Sequence, residues 1–176
     1  RKERQGNIGR VPSDATSTSD IEAAEDQVAE PVKQAPASPE SLRITYSQTK
    51  TISMGEEELK DRRIVAGFAH DERAEPYRQL RGQILKKFRE NNWQTLAVTS
   101  PNAGSGRTLT ALNLAISLSL EVNQTILLVD LDLRNPGVAK CMGIDDVDYG
   151  IVDYVRGEQP LEKILINPGY ERLVLL

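Results

Sequence analysis

Two short stretches of the sequence hold residues whose types and spacing could do chemistry. Residues 100–108 read SPNAGSGRT, and residues 126–134 read ILLVDLDLR. A glycine-rich turn that leads from a strand into a helix presents several backbone N–H groups to one point, and the helix N-terminus adds positive potential there. The first stretch therefore predicts a site for an anion such as a phosphate group.

The glycine turn matches part of the phosphate-loop pattern GxxxxGK[ST]. Gly106 takes the second glycine position and Thr108 the Ser/Thr position, but Arg107 stands at the lysine position and Pro101 at the first glycine position. Arginine preserves the charge, yet its guanidinium is wider and planar, so it does not replace lysine conservatively in a closed loop. The turn alone leaves two interpretations open: a phosphate site, or a glycine turn of purely structural use.

The second stretch adds two carboxylates. Asp130 and Asp132 lie two residues apart at the end of an apolar strand. Their side chains are therefore expected to point the same way, at the sheet edge where the glycine loop also opens. Carboxylates at a phosphate site hold Mg²⁺ or orient the attacking hydroxyl. The alternative is a strand end with solvated aspartates, which the nearby loop and Arg134 disfavour.

The flanking segments predict the elements that would position these residues. Residues 94–100 and 125–132 are apolar runs typical of buried strands, and residues 171–176 predict a third strand. Residues 108–121 are apolar on most sides, as in a crossover helix packed on a sheet. The alternation of such strands with helices predicts an α/β fold on a parallel sheet.

Further helices are expected along the chain. Residues 74–90 carry apolar side chains on one helical face, and Pro76 is tolerated in a first turn. Residues 55–65 could form a brief helix with acidic residues at its start. Two short helices are expected around residues 148–157 and 160–165.

Composition divides the chain into three parts. Residues 1–40 contain no aromatic residue and are predicted to form a disordered acidic leader, because so little apolar surface cannot offset the entropy of ordering. Residues 41–73 are a connecting arm, with a short strand suggested by the alternating Leu42, Ile44 and Tyr46 and a short helix. Residues 74–176 hold the motifs and form the predicted phosphate-loop domain.

Charge and cysteine content exclude some classes of function. The net charge of -4 gives no support to nucleic-acid binding through a basic face, so no nucleic-acid partner is expected. The single cysteine, Cys141, cannot form an intramolecular disulfide, which favours a reducing, cytoplasmic compartment. No run of residues approaches the roughly 18–20 apolar residues that a membrane span needs, so a soluble chain is expected.

Three motifs in this order resemble those of the bacterial tyrosine kinases of capsule and exopolysaccharide synthesis, called BY-kinases. The motifs are EPYRQLR at residues 75–81, the divergent Walker A loop AGSGRT at residues 103–108, and ILLVDLDLR at residues 126–134. The last fits the family's pattern of aliphatic residues followed by DxDxR. The resemblance covers about residues 40–176.

The resemblance implies a P-loop NTPase-type parallel sheet with helices on both faces, and transfer of the ATP γ-phosphoryl group to tyrosine with Mg²⁺. It implies catalytic roles for Asp130, Asp132 and Arg107, the last in place of the family's lysine. Thr108, Asp130 and Asp132 would bind the metal. The nucleotide would be held by the loop residues, namely Ala103, Gly104, Ser105, Gly106, Arg107, Thr108 and Leu109.

The resemblance also implies partners. Glu75, Arg78 and Arg81 match the family's ExxRxxR motif, which packs subunits into a homo-oligomeric ring. The usual activator is a membrane-spanning polysaccharide chain-length protein, called a copolymerase. We therefore expect a cytoplasmic protein associated peripherally with the inner membrane through that partner. The family's later Walker B strand and terminal tyrosine cluster do not occur in the sequence, so we expect a domain truncated before its later strands.

Alternative functions stay open. Because Arg107 replaces the lysine, the chain could be a catalytically impaired nucleotide-binding regulatory subunit, a pseudokinase of the same polysaccharide machinery. An ATPase of the partition and division-site class (ParA/MinD-like) is a second alternative, although such proteins have a further lysine where this chain has Asn102. An iron–sulfur electron carrier would need cluster cysteines, and Cys141 alone cannot supply them.

Overall fold

The computed structural model describes residues 49–176 of the chain. The segments 1–40 and 42–46, for which disorder and a strand are predicted, lie outside these residues. The described α-helices are α1 Glu56–Asp61, α2 Glu75–Asn91, α3 Arg107–Ser119, α4 Val138–Cys141, α5 Ile151–Val155 and α6 Leu161–Ile164, and a 3-10 helix spans Glu72–Ala74. The strands are β1 Lys50–Thr51, β2 Ile126–Leu128, β3 Ile166–Asn167 and β4 Leu173–Leu175.

The strands form one sheet in the order β1-β3-β4-β2. The pairs β1–β3 and β2–β4 are parallel, but β3 and β4 are antiparallel. The α/β class is thus confirmed, and the sheet is mostly parallel, but the predicted parallel sheet is mixed because β3 and β4 are antiparallel. The reason is the short connection at residues 168–172, since parallel neighbours need a crossover of a dozen or more residues.

Asn167 and Gly169 build this tight connection. The Asn167 side-chain amide donates to the carbonyl oxygens of Tyr170 at 2.9 Å and Leu173 at 3.1 Å, and its oxygen accepts from Gly169 N–H at 2.8 Å. Gly169 has φ +91°, a conformation that favours glycine. The turn reverses the chain directly, so β4 returns beside β3.

The prediction of a buried strand at residues 94–100 is also wrong. These residues form no strand and are mostly exposed, and Trp93 before them is 56% exposed. A strand needs backbone partners, and none of the described strands pairs with this segment. Instead, Leu96 and Val98 face β2 across a cavity of about 140 Å³.

The strand expected within residues 125–132 is present as β2, but it is not buried. It is an edge strand of the described sheet, paired only with β4, and Leu127 is 54% exposed. By contrast, β4 lies inside the sheet, and Leu173 and Leu175 are buried. This confirms the strand predicted at the end of the sequence.

Helix α3 forms the centre of the core, although no described strand directly precedes it. Residues Leu112 to Ser119 are all buried. Leu112 and Ile116 pack with Leu173 and Leu175 of β4 in the main apolar cluster, so α3 covers one face of the sheet. Gly106 in the left-handed conformation, with φ +83°, caps the helix where the glycine turn ends.

Helix α2 confirms the amphipathic helix predicted at residues 74–90. Pro76 lies in its first turn, and Asn92 ends it in the left-handed conformation with φ 54°. Leu85 packs with Leu114 and Leu118 of α3 in a second apolar cluster. Helix α2 is therefore attached to the sheet through α3.

The remaining helix predictions agree with the structure, because α1, α5 and α6 lie within the three segments for which short helices are predicted. Among the helices of residues 49–176, none combines the length and apolar character that a bilayer span requires.

Candidate phosphate-binding site

The glycine turn leads into α3 as the sequence predicts, but the segment before the turn is not the predicted strand. Gly104 and Gly106 have φ of +74° and +83°, and an added Cβ at either position would meet no atom within 4 Å. Ser105 Oγ donates to Ser100 Oγ at 2.7 Å, and Ser100 Oγ donates to the Asn102 carbonyl at 3.0 Å. These bonds close the turn on itself, and its outer face is left open in front of the N-terminus of a 13-residue helix.

Open space at both glycines suits a phosphate group. Residues 101–106 are exposed, so an anion can approach the backbone without displacing a side chain. The N–H groups of the first helical turn have no partner within the helix, and the helix dipole favours negative charge at this end. Ala103 and Leu109 flank this surface, and Leu109 is half-buried against the main apolar cluster.

Arg107, the first residue of α3, forms an ion pair with Asp132 through Nη2 and Oδ2. The two side chains are about one-third exposed, at 34% and 31%. The other Asp132 oxygen, Oδ1, accepts from Asn135 N–H at 3.2 Å. The structure therefore brings together two predicted site residues that are 25 positions apart, and the arginine at the lysine position is bound to a carboxylate.

Asp130 lies at the other side of the same site. Its Oδ2 accepts from Gly137 N–H at 2.8 Å and Val138 N–H at 3.0 Å, and its Oδ1 accepts from Asp132 N–H at 3.0 Å. Asp130 thus caps the start of α4. The backbone pairing continues past β2, since Asp130 N–H donates to the Leu176 carbonyl at 2.8 Å. The carboxylates of Asp130 and Asp132 have different partners.

Thr108 also belongs to the candidate site, beside Asp130. A Cβ placed on Gly137 would lie 3.4 Å from Thr108 Oγ1 and 3.3 Å from its Cγ2. The threonine side chain therefore lies against the glycine whose N–H binds Asp130. A side chain at position 137 would press against Thr108, so Gly137 belongs to the site, although no sequence motif selects it.

These oxygens suit a Mg²⁺ ion that is shared with phosphate groups, but not a cage made by protein alone. Within residues 49–176, no cluster of three or more His, Cys, Asp or Glu side chains is placed to hold a metal ion. Thr108, Asp130 and Asp132 offer one hydroxyl and two carboxylates, and Mg²⁺ is commonly held by one or two carboxylates together with substrate phosphates. The donor set is consistent with that mode of binding.

The three residues of the predicted ring interface make contacts within the chain. Arg78 Nε binds Glu75 Oε2 at 2.9 Å, and Arg78 Nη1 donates to the Ala69 carbonyl at 3.2 Å. The hydrogen bond between Arg78 and the Glu75 carboxylate is the main reason that the pKa of Glu75 is below its usual value. Arg81 Nη1 donates to the Ser117 carbonyl at 2.9 Å, and Arg81 Nε pairs with Glu121 at 3.1 Å. Arg81 thus connects α2 to α3, at the end of α3 opposite the glycine turn.

Asn113 is a supporting residue that the sequence analysis missed. It is fully buried in α3, and its Oδ1 accepts from the N–H groups of Val65 at 2.8 Å and Ala66 at 3.0 Å. Its Nδ2 donates to the carbonyls of Arg63 and Leu109, each at 3.0 Å. A polar residue within the apolar run of α3 was the available signal. Asn113 ties the segment before α2 to the helix that carries Arg107 and Thr108.

Comparison of the chain with protein-family models, with curated proteins and with solved structures gives no match.

Proposed function

We propose that this chain carries a P-loop site that binds Mg-ATP and transfers its γ-phosphoryl group to protein tyrosine, in the manner of the BY-kinases that regulate exopolysaccharide or capsule synthesis. The observation that carries the proposal is the convergence of Arg107 and Thr108, at the start of α3, with Asp130 and Asp132 after β2. The glycine turn, the hydroxyl and the two carboxylates meet in one place, although they come from distant parts of the sequence.

Each residue has a defined task in this proposal. The backbone N–H groups of residues 103–109 would bind the β and γ phosphates, and Thr108, Asp130 and Asp132 would hold Mg²⁺. Mg²⁺ bound with the nucleotide neutralises charge that develops on the phosphates. Asp130 or Asp132 would also accept the proton of the acceptor hydroxyl.

Arg107 must exchange partners for this function. Its guanidinium binds Asp132, so a phosphate group competes with that carboxylate for the same charge. An ion pair with one-third of each side chain exposed is worth about 1 kcal/mol or less, because water screens it. A phosphate with two or more negative charges is the stronger partner. The pair is therefore compatible with nucleotide binding.

The same ion pair supports a second candidate function, a regulatory subunit that binds nucleotide without transferring phosphate. If Arg107 keeps contact with Asp132 after ATP binds, that carboxylate is not free to accept a proton or to reach Mg²⁺. Binding would then be preserved and transfer lost. This arrangement corresponds to the pseudokinase alternative, and one experiment separates it from the kinase.

The experiment uses the full-length protein with the cytoplasmic segment of its membrane partner. Mg-ATP affinity and phosphate incorporation into tyrosine are measured for the wild type, Arg107→Lys, Asp130→Asn and a control, Asp61→Asn, whose exposed carboxylate lies in α1. For a kinase, incorporation by the wild type disappears in Asp130→Asn and is unchanged in Asp61→Asn.

The other outcomes are equally informative. ATP binding without transfer by the wild type, with transfer restored in Arg107→Lys, would establish the regulatory subunit. Absence of ATP binding by the wild type would refute both candidate functions and leave only the α/β fold.

We further propose the assembly that the resemblance implies, a homo-oligomeric ring at the inner membrane, held there by a polysaccharide copolymerase. For the ring, Glu75, which is about half-exposed at 53%, is the residue best placed to meet a neighbouring subunit. Arg78 and Arg81 would have to exchange contacts within the chain for contacts between subunits. Size-exclusion chromatography with light scattering of the full-length wild type and Glu75→Ala tests this assembly.

A further inference from the structure

A groove of about 380 Å³ lies beside the candidate site, at the carboxyl ends of the parallel strands β2 and β4. Asp130 from the end of β2 and Leu176 after β4 both line it. Crevices at this edge of α/β sheets are common ligand sites. Its apolar lining is contributed by several segments and includes Leu133, Ile144, Ile151, Ile164, Ile166 and Leu175.

Some residues of the groove, such as Ile144 and Leu175, belong to the core, but other lining residues are exposed at the surface. Leu133 is 61% exposed, Val147 43%, Tyr149 41% and Val152 38%. Water therefore reaches these large apolar side chains, and no described segment covers them. Exposed apolar patches on a protein surface are found where another chain, a membrane or a ligand binds.

The charges at the groove are mostly negative. Asp130, Asp145, Asp148 and Asp153 line it, with Lys140 as the only basic lining residue among those described. The carboxylates of Asp130 and Asp153 already accept backbone N–H groups. Asp145 and Asp148 are exposed, and within residues 49–176 neither forms a hydrogen bond or an ion pair. Two unpaired carboxylates thus stand next to an uncovered apolar groove.

We infer that this groove docks a peptide segment of a partner protein in which a large apolar side chain is flanked by lysine or arginine. The apolar side chain would fill the groove, and the basic side chains would pair with Asp145 and Asp148. Lysine and arginine fit both requirements, because their aliphatic stems lie along apolar surface while the charged heads reach the carboxylates. This docking does not depend on phosphoryl transfer, so it goes beyond the proposed function.

The test measures binding of fluorescein-labelled peptides to the full-length protein by fluorescence anisotropy. The probe is KRFLKR, and the matched probes are EEFLEE, in which the charges are reversed, and KRGGKR, in which the apolar residues are removed. We expect KRFLKR to bind, and each matched probe to bind at least about tenfold more weakly, because charge and apolar burial both contribute.

The sharpest comparison is between neighbouring aspartates. Asp148→Lys replaces attraction by repulsion at the groove and should weaken KRFLKR binding about tenfold. Asp146→Lys makes the same change in net charge at an exposed residue that does not line the groove, and should change binding less than about twofold. Asp145→Lys provides a second groove variant, and thermal unfolding checks that all three variants are folded.

Equal weakening by Asp146→Lys and Asp148→Lys would overturn the inference, since only overall charge would then matter. Failure of KRFLKR to bind the wild type, or equal binding of KRGGKR, would overturn it too. An ATP titration of the same samples reports on the nucleotide site separately. If the wild type binds ATP but not KRFLKR, the inference about the groove is refuted alone. If it binds KRFLKR but not ATP, the proposed function is refuted alone.

Discussion

Replacement of Asn113 by alanine is expected to destabilise the protein more than any change at its surface. The side chain is fully buried, and its Oδ1 is the acceptor for the N–H groups of Val65 and Ala66, at 2.8 and 3.0 Å. Both of those residues are only 2% exposed, so water cannot take the place of the lost oxygen. Alanine would leave two buried donors without acceptors.

The magnitude follows from these contacts. A buried N–H group that loses its acceptor costs about 1–3 kcal/mol, so two of them cost roughly 2–6 kcal/mol. The two carbonyl groups to which Asn113 Nδ2 donates add little to this loss of stability. Arg63 is exposed and can bind water, and Leu109 keeps the backbone bond of the helix. A loss near 4 kcal/mol is a large part of the 5–15 kcal/mol that typically stabilises a domain.

Urea unfolding of the full-length protein measures this loss, with Ser117→Ala as the control. Ser117 is also fully buried in α3, but its hydroxyl makes only one long bond, 3.4 Å to the Tyr77 carbonyl, and should cost under about 1 kcal/mol. In Asn113→Ala, the amides of Val65 and Ala66 should also exchange faster with deuterium. A loss below about 1 kcal/mol for Asn113→Ala, with unchanged exchange at both amides, would refute the reasoning.

Two further predictions concern the glycine turn and the segment before α2. Gly106→Ala should destabilise the protein by about 1–2 kcal/mol, because φ at this position is +83°. Gly82→Ala, within α2, should stabilise it by about 0.5–1 kcal/mol, because an added Cβ meets no atom there and alanine favours a helix. Changes of the same sign in the free energy of unfolding by urea would contradict this prediction. The side chain of Arg73 lowers the pKa of Asp71 from 3.8 to about 2, so charged Asp71 stabilises the fold above pH 3.8, and this contribution is lost as the pH falls towards 2. Thermal unfolding of the wild type and Asp71→Asn should therefore differ at neutral pH and converge between pH 3.8 and 2, and a constant difference across that range would argue against the assignment.

The candidate site was predictable in its parts but not in its contacts. The glycine turn, Thr108 and the two aspartates were selected from residue type and spacing alone, and the structure places them together. Their bonding partners could not be selected in this way. The ion pair between Arg107 and Asp132 depends on how α3 packs beside β2, and Gly137 meets both Thr108 and Asp130 only in the folded chain.

The sequence by itself determined α2 and α3, because the apolar side chains of a helix recur along a few consecutive turns and the signal is local. It also determined that a glycine turn precedes α3 and that β2 and β4 are strands. Tertiary structure alone decided the direction of β3 and the absence of a strand at residues 94–100, since a strand exists only where another segment supplies backbone partners. Tertiary structure likewise decided the partners of Asn113, whose Oδ1 accepts from the N–H groups of Ala66 and Val65, 47 and 48 positions away. Such pairings depend on which segments meet in space, and no local pattern records that.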